Sequence, residues 1–295
     1  MMNRSLVSLR RKSHLVLALV ALTAALLPAQ NPFDPSRGGG GGRGYGRSSQ
    51  ELIGQDREEF ATDAEFPSDH FTFLRLRHNG DGGLTDWPKA DLNFTRRLHE
   101  LTAIEVNPGC LNIEITDERL FQYPFAFMSD LRDVLFSADE EEALRKYLTN
   151  GGFIMVDDQW GDECWEHVYG TMKGIFPDKE PVELDIDHPI FSSVFKLDYL
   201  PQIPSHDAFD KWEELGLDNH YETKGFDSED PEAMNKPHFR AWYDDNGRMM
   251  ILVCHNNDIA DGWEEESYKP EFFKKYSEKL CFPLGINIVF YALSN

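Results

Sequence analysis

The sequence predicts an α/β domain with a mainly parallel sheet and an antiparallel hairpin addition. Three observations point to it. Between Ser137 and Ile175 a capped helix, a short all-apolar strand and a second helix follow one another. Two further apolar strand patterns, at residues 71–76 and 123–128, precede that unit. Near the end, Asp245-Asn246-Gly247 separates two apolar runs. Alternating helices and strands imply parallel strands joined by right-handed crossovers, whereas a tight turn of this composition implies a hairpin.

Each element has a local cause. Phe71, Phe73, Leu74 and Leu76 make the first strand, and a Gly-rich loop at residues 78–83 leads to a helix near Trp87-Pro88. Proline suits a first helical turn, where its missing N–H costs nothing. Phe94, Leu98 and Leu101 share one face of that helix. Ile104 and Val106 read as a short second strand, and residues 123–128 as a third, apolar throughout because both its faces are covered. Ser137 with Glu140 forms a capping box, and Asn150-Gly151-Gly152 ends that helix. Phe153-Ile154-Met155-Val156 is a buried strand with Asp157 and Asp158 at its end. The next helix starts near Gly161, with Asp162 and Glu163 favourable at its positive end and Trp165, Val168, Met172 and Ile175 as its stripe. Val182, Leu184 and Ile186 alternate as a strand. Residues 196–236 read as a polar insertion, residues 270–280 as a helix, and residues 284–293 as an apolar segment whose period fits either helix or strand.

The N-terminus has a different character. Arg4, Arg10, Arg11 and Lys12 precede an uncharged Leu/Ala-rich run of 13 residues and then Pro28-Ala29-Gln30. That is the layout of a secretory signal over residues 1–29, and the run is shorter than the roughly 20 residues that span a bilayer. Residues 30–64, with five consecutive glycines at 38–42, have little to bury and read as a flexible tether. Residues 65–295 are then the folded domain. The chain carries 52 Asp/Glu against 29 Lys/Arg; beyond residue 47 the balance is 51 against 22, a net charge of −29. Such a surface repels nucleic acid and anionic membranes. It suits solubility, or the binding of cations or basic partners. No later segment is long and apolar enough to span a membrane after signal cleavage. Cys110, Cys164, Cys254 and Cys281 are even in number, which permits disulfides in an exported protein and equally permits buried thiols.

Several stretches resemble the bacterial domain of unknown function 4159 family. They are Phe71-Thr72-Phe73-Leu74-Arg75-Leu76, Tyr123-Pro124-Phe125, Gly151-Gly152-Phe153-Ile154-Met155-Val156-Asp157-Asp158, His188-Pro189-Ile190-Phe191 and Leu284-Gly285-Ile286-Asn287-Ile288-Val289-Phe290-Tyr291-Ala292-Leu293. The family is similar to the class I glutamine-amidotransferase-like fold. This resemblance implies a three-layer, flavodoxin-like sandwich. It also implies a nucleophilic cysteine on the sharp turn after the strand at residues 153–156. Here that turn reads Asp157-Asp158-Gln159-Trp160-Gly161, with no cysteine or serine, and Cys164 falls within the following helix. Thiol-based glutamine hydrolysis is therefore expected to be lost.

Ligands of open α/β sheets bind beyond the carboxyl ends of the strands. Asp157 and Asp158 stand there and suit a cation or a base, or a helix cap. Alternation points them to opposite faces unless the chain turns sharply. Asp185, Asp187 and His188 follow another strand pattern, where Asp187 could join a hard-cation site or simply shape the turn into Pro189. His255 and Asp258, with Asp261 shortly after, follow the last hairpin strand; His78 follows the first strand. The candidate ligand contacts are thus Asp157, Asp158, His188, His255, Asp258 and His78, and the candidate metal ligands Asp157, Asp158 and Asp187, for a divalent cation. Two functions fit: a binding or assembly module for a protein, small-molecule or carbohydrate ligand, or a carboxylate/histidine hydrolase, metal-assisted, acting on carbohydrate or cell-envelope material. The export reading has a direct check. Edman or mass-spectrometric analysis of native protein should find the mature N-terminus near Gln30, and intact Met1 in the cytoplasmic fraction would refute it.

Overall fold

The computed structural model describes residues 70–216, 234–264 and 269–295. The signal and tether readings, and the middle of the 196–236 insertion, lie outside the described residues.

The chain runs β1 (Phe71–Arg77), α1 (Lys89–Leu101), β2 (Val106–Glu114), a 3₁₀ turn (Glu118–Gln122), β3 (Phe125–Ser129), α2 (Ala138–Thr149), β4 (Phe153–Gln159), α3 (Gly161–Ile175) and β5 (Val182–Glu183). After a 3₁₀ turn at Pro189–Phe191 come α4 (His206–Glu214), β6 (His238–Tyr243), β7 (Met249–His255), α5 (Asp261–Glu264) and α6 (Pro270–Phe272). A wide-turn helical stretch (Phe273–Cys281) and α7 (Phe282–Ser294) follow. One seven-stranded sheet has the order β2-β1-β3-β4-β7-β6-β5. β2 through β7 in that order are parallel; β6 and β5 are added antiparallel beyond β7. The five parallel strands therefore follow the flavodoxin-like order, and the hairpin addition stands where the turn signal placed it.

Side chains alternate across this sheet into two cores. Phe73, Phe125, Phe127, Phe153 and Met155 pack with Phe94 of α1, Trp263 of α5 and Ile286 of α7. Leu74, Leu76, Met128, Ile154 and Val156 pack with Leu144 of α2 and Val168 of α3. The capping box at Ser137 and Glu140 is present on α2. All four cysteines are free thiols, and among the described residues no helix is long and apolar enough to cross a membrane.

Two elements differ from the sequence reading and a third, left open between helix and strand, is decided. β2 extends to Glu114, its Asn107-Pro108-Gly109 start having masked a strand. An edge strand tolerates proline because one side of its backbone needs no ladder bond, and β2 is an edge. β5 keeps only two residues, since Asp185 turns the chain back. Residues 284–293 belong to helix α7, laid over the first core.

Arg75 brings a charge into that core. Fully buried, it forks onto Asp91 of α1 through Nε (3.0 Å) and Nη2 (2.6 Å), donates to the Thr85 carbonyl (2.8 Å) and lies 4.7 Å from the Phe127 ring centre. One guanidinium thus joins β1, α1 and the loop between them. Asp91→Ala should cost about 3–5 kcal/mol in denaturant melts, because it leaves a buried charge unpaired. The double variant Arg75→Met/Asp91→Leu should recover most of that loss; equal losses would mean that the charge pair is not the cause.

Candidate functional site

The site is built from strand ends. Parallel order places the carboxyl ends of β1, β3, β4 and β7 side by side, and the strand order reverses at β1/β3, the kind of place where open α/β sheets bind their ligands. Among the described residues, four non-glycine residues have positive φ: Asp86 (63°), Asp130 (51°), Asp158 (60°) and Asn256 (58°). The latter three stand at the ends of β3, β4 and β7, and Asp86 is in the loop after β1. Left-handed backbone is tolerated best by Asp and Asn and concentrates where chains turn sharply around a site.

The loop after β1 is pressed against β3. Gly82 lies so close to Asp130 that a Cβ there would collide with the Asp130 side chain. His78, almost fully buried, donates from Nε2 to the Ser129 carbonyl at 2.7 Å and accepts the Gly80 N–H at Nδ1 (3.2 Å). Burial holds its pKa below the ordinary histidine value. Both nitrogens of His78 are therefore engaged, as a neutral tie between β1 and β3. Asp130 is clamped by Arg132, whose Nε donates at 2.6 Å.

β4 supplies two aspartates through a bulge. Val156 pairs with Val253 but Gln159 pairs with His255, so β4 spends one residue more than β7 over this interval. Such a bulge re-aims a side chain. Asp157 continues the face of Phe153 and Met155. Its Oδ2 accepts the N–H groups of Ile259 (2.7 Å) and Ala260 (2.9 Å), whereas Oδ1 is buried without a hydrogen-bond partner. Asp158, which plain alternation would send to the other face, is turned by its positive φ. Its carboxylate accepts from Trp160 Nε1 (3.1 Å) and stands in electrostatic contact with Asp130, Asp86 and Asp157. The sharp turn on which shared access depended is present.

The loop after β7 completes the group. Asp258 Oδ1 accepts the Asp261 N–H at 3.1 Å, and Asp261 Oδ2 accepts the His206 N–H at 2.6 Å. Gly262 lets this turn approach Cys281, whose Sγ a Cβ would strike. Carboxylate oxygens of Asp86, Asp258 and Asp261 come within 4.8 Å of one another, and so do donor atoms of His206, Asp261 and Glu264. These are the two metal-compatible sets among the described residues.

The electrostatics follow from burial. Asp157 and Asp261 are pushed up to about 7, first by burial and then, for Asp157, by Asp86 and, for Asp261, by Asp158 and Glu264. Asp86, Asp158 and Asp258 are raised well above the usual carboxylate range by burial and by one another. The buried guanidinium on this face, Arg75, is committed to Asp91.

Two expected groups stand elsewhere. Asp187 is exposed, its N–H bonded to Asp185 Oδ1 (3.0 Å) in the turn. That turn folds the chain back, so His188 meets Tyr243 at 3.2 Å, beside Tyr291. Tyr243 pairs with Met249, the first residue of β7; His188 and Asp187 are therefore not brought to Asp157 at the carboxyl ends. His255 is at the right end but on the other face, by alternation from Cys254. Its Nε2 donates to the Gly161 carbonyl (3.0 Å), its Nδ1 accepts from Arg240 (2.8 Å), and its ring lies 5.8 Å from that of Trp165. Burial and then Arg240 push it down to about 3, so it stays neutral. Conversely, sequence reasoning passed over Asp86, His206 and Glu264. For Asp86 the available signal was its position in the loop after β1; for the other two there was none.

Fold and site together define an α/β protein with a flavodoxin-like parallel core and a group of aspartates gathered at its carboxyl edge. The chain belongs to the family described as Domain of unknown function (DUF4159), whose sequence model matches residues 72–293. No curated protein matches it.

The raised carboxyls set a pH dependence. Below about 4 these groups are protonated in both states and contribute no difference. Between about 4 and 7 the unfolded chain ionises while the folded protein resists, so folded stability falls as pH rises. In chelator, the melting temperature should therefore decline from pH 4.5 to pH 7.5. The slope should be shallower in Asp157→Asn; an unchanged slope in that variant would show that Asp157 ionises normally.

Proposed function

We propose that the chain is an extracytoplasmic binding module on an amidotransferase-like scaffold without its nucleophile, and that its ligand is held at the carboxyl edge through a divalent cation. The observation that carries this reading is the convergence of Asp86, Asp258 and Asp261 oxygens within 4.8 Å. An all-oxygen set suits hard cations such as Ca²⁺, Mg²⁺ or Mn²⁺. The alternative to a cation is protonation of buried carboxyls, which is progressively lost as pH rises. The amidotransferase-like part rests on the strand order and on the turn from β4 into α3, where Asp158 stands at the expected nucleophile's place. Cys164 lies in the first turn of α3, buried, donating to Gln159 Oε1 (3.2 Å), with its thiol pushed up to about 12 by burial. A thiol so disposed is a poor nucleophile. The extracytoplasmic part rests on the basic and apolar segments of residues 1–29.

The hydrolase reading has one observation in its favour. Asp157 and Asp261 near 7 suit proton transfer at neutral pH. It loses its histidines, however, since His188 stands at the other end of the sheet and His255 is locked. A pH–rate profile on cell-envelope glycan that collapses in Asp157→Asn would favour hydrolysis over binding.

The cation reading predicts that Ca²⁺, Mg²⁺ or Mn²⁺ raises the melting temperature of chelator-treated protein. Binding to the folded state alone stabilises by about 2.7 kcal/mol at a hundredfold excess over the dissociation constant. The gain should be larger at pH 7.5 than at pH 5, because protons compete for the same oxygens. Asp258→Asn should abolish it. No shift with any of the three ions would remove the reading.

A further inference from the structure

We infer that the crevice holds a second divalent cation, on His206, Asp261 and Glu264, with Asp261 bridging it to the first. This rests on the cation reading above and extends it to a two-ion centre.

Donor chemistry gives the first argument. A carboxylate has two oxygens and Asp261 belongs to both convergent sets, so one side chain can face two ions. The second set has an imidazole and two carboxylates, a mixture that suits Mn²⁺ or Zn²⁺ better than Ca²⁺. Its members are fixed by the fold. Asp261 Oδ2 accepts the His206 N–H at 2.6 Å, and the His206 Nδ1 lies 4.0 Å from that oxygen. The His206 ring packs edge-on against Phe272, ring centres 4.6 Å apart. Glu264 is carried on the same short helix as Asp261, and its backbone carbonyl is held by Asn93 Nδ2 at 2.8 Å.

Charge balance gives the second. Asp86, Asp157, Asp158, Asp258, Asp261 and Glu264 gather at this edge. Arg75 is committed to Asp91, Arg132 is clamped on Asp130, and Lys89 stands 3.7 Å from Glu264 as a largely exposed ammonium. A 3.7 Å pair with so exposed an ammonium is weak. One divalent ion offsets two carboxylates and leaves the group in excess; two ions offset four. Asp157, beside Asp86 and Asp258 rather than within the second set, adds one more unpartnered oxygen to this edge: fully buried, it keeps Oδ1 without any hydrogen bond while Oδ2 takes two. Buried acceptors are rarely left so unless something else binds them.

Two ions bridged by a carboxylate leave open positions on both. In a domain this acidic, those positions are the places where an anionic oxygen ligand, a phosphate ester or a carboxylate, can bind against the prevailing field. The ligand class is then an oxyanion, and the metals are the means by which an acidic protein tolerates it.

The test counts ions. The mature chain is stripped with chelator, loaded with Mn²⁺ and desalted; bound metal is measured by mass spectrometry and its coupling by electron paramagnetic resonance. The expected result is two Mn²⁺ per chain with the hyperfine pattern of an exchange-coupled pair. His206→Asn should then hold one, uncoupled, and keep the melting-temperature gain of the first ion. If His206→Asn does not fold cooperatively, Glu264→Gln, at a more exposed position, serves the same purpose. One Mn²⁺ in the unaltered chain overturns this inference and leaves the cation-binding module standing. Two uncoupled ions, or two retained in both variants, also overturn it by placing the second ion elsewhere. No bound ion overturns both readings together.

Discussion

The constraint that organises this protein is a surplus of buried and half-buried carboxylates at one edge of its sheet. Asp86, Asp157, Asp158, Asp258 and Asp261 are contributed by the ends of three strands, and the buried guanidinium nearest them is spent on Asp91. Charges removed from water must be paired, protonated or bound to metal. The upward shifts of all five follow from that requirement, and so do the cation readings. A sheet edge with neutral turns would have none of these properties.

The backbone is arranged to produce this gathering. A bulge in β4 and a positive φ at Asp158 break the alternation and bring Asp158 into electrostatic contact with Asp157, Asp130 and Asp86. Gly82 and Gly262 stand where a side chain would collide with Asp130 and Cys281 respectively, so the loops after β1 and β7 close in on the crevice from two sides. Arg75 fixes the β1 loop from beneath through the Thr85 carbonyl, one residue before Asp86. Stability and site are therefore coupled: the guanidinium that holds α1 to β1 also sets where Asp86 stands.

The histidines are divided by the same geometry. His78 and His255 stand at strand ends, yet each spends both ring nitrogens on the fold, as ties to Ser129, Gly80, Gly161 and Arg240. Their neutral state is part of the packing. His206 differs, because it opens α4 beside Asp261 and comes from the long insertion rather than from a strand end. A crevice of aspartates with one imidazole at its rim favours metal-borne ligand binding over thiol or histidine-centred chemistry.

The sequence by itself determined the periodic features. The strand patterns of Phe71–Arg77 and Phe153–Gln159, the capping box at Ser137 and the Asp244–Gly247 turn are local, and each formed as its own residues dictate. Asp157, Asp158 and Asp258 were legible as site candidates because strand ends are visible in a one-dimensional pattern. Only the tertiary structure decided which strand ends meet. Asp187 and His188 read much like Asp157 and Asp158, each a polar pair after a strand pattern. A two-residue strand and a reversal at Asp185 carry them to the opposite end of the sheet. Asp86, His206 and Glu264 carry no spacing that relates them, being separated by more than a hundred residues in one case and more than fifty in the other. Asp86 and Glu264 converge because parallel strand order brings the loops after β1 and β7 to one edge, and His206 reaches them on α4 of the insertion; both are long-range properties that no local pattern encodes.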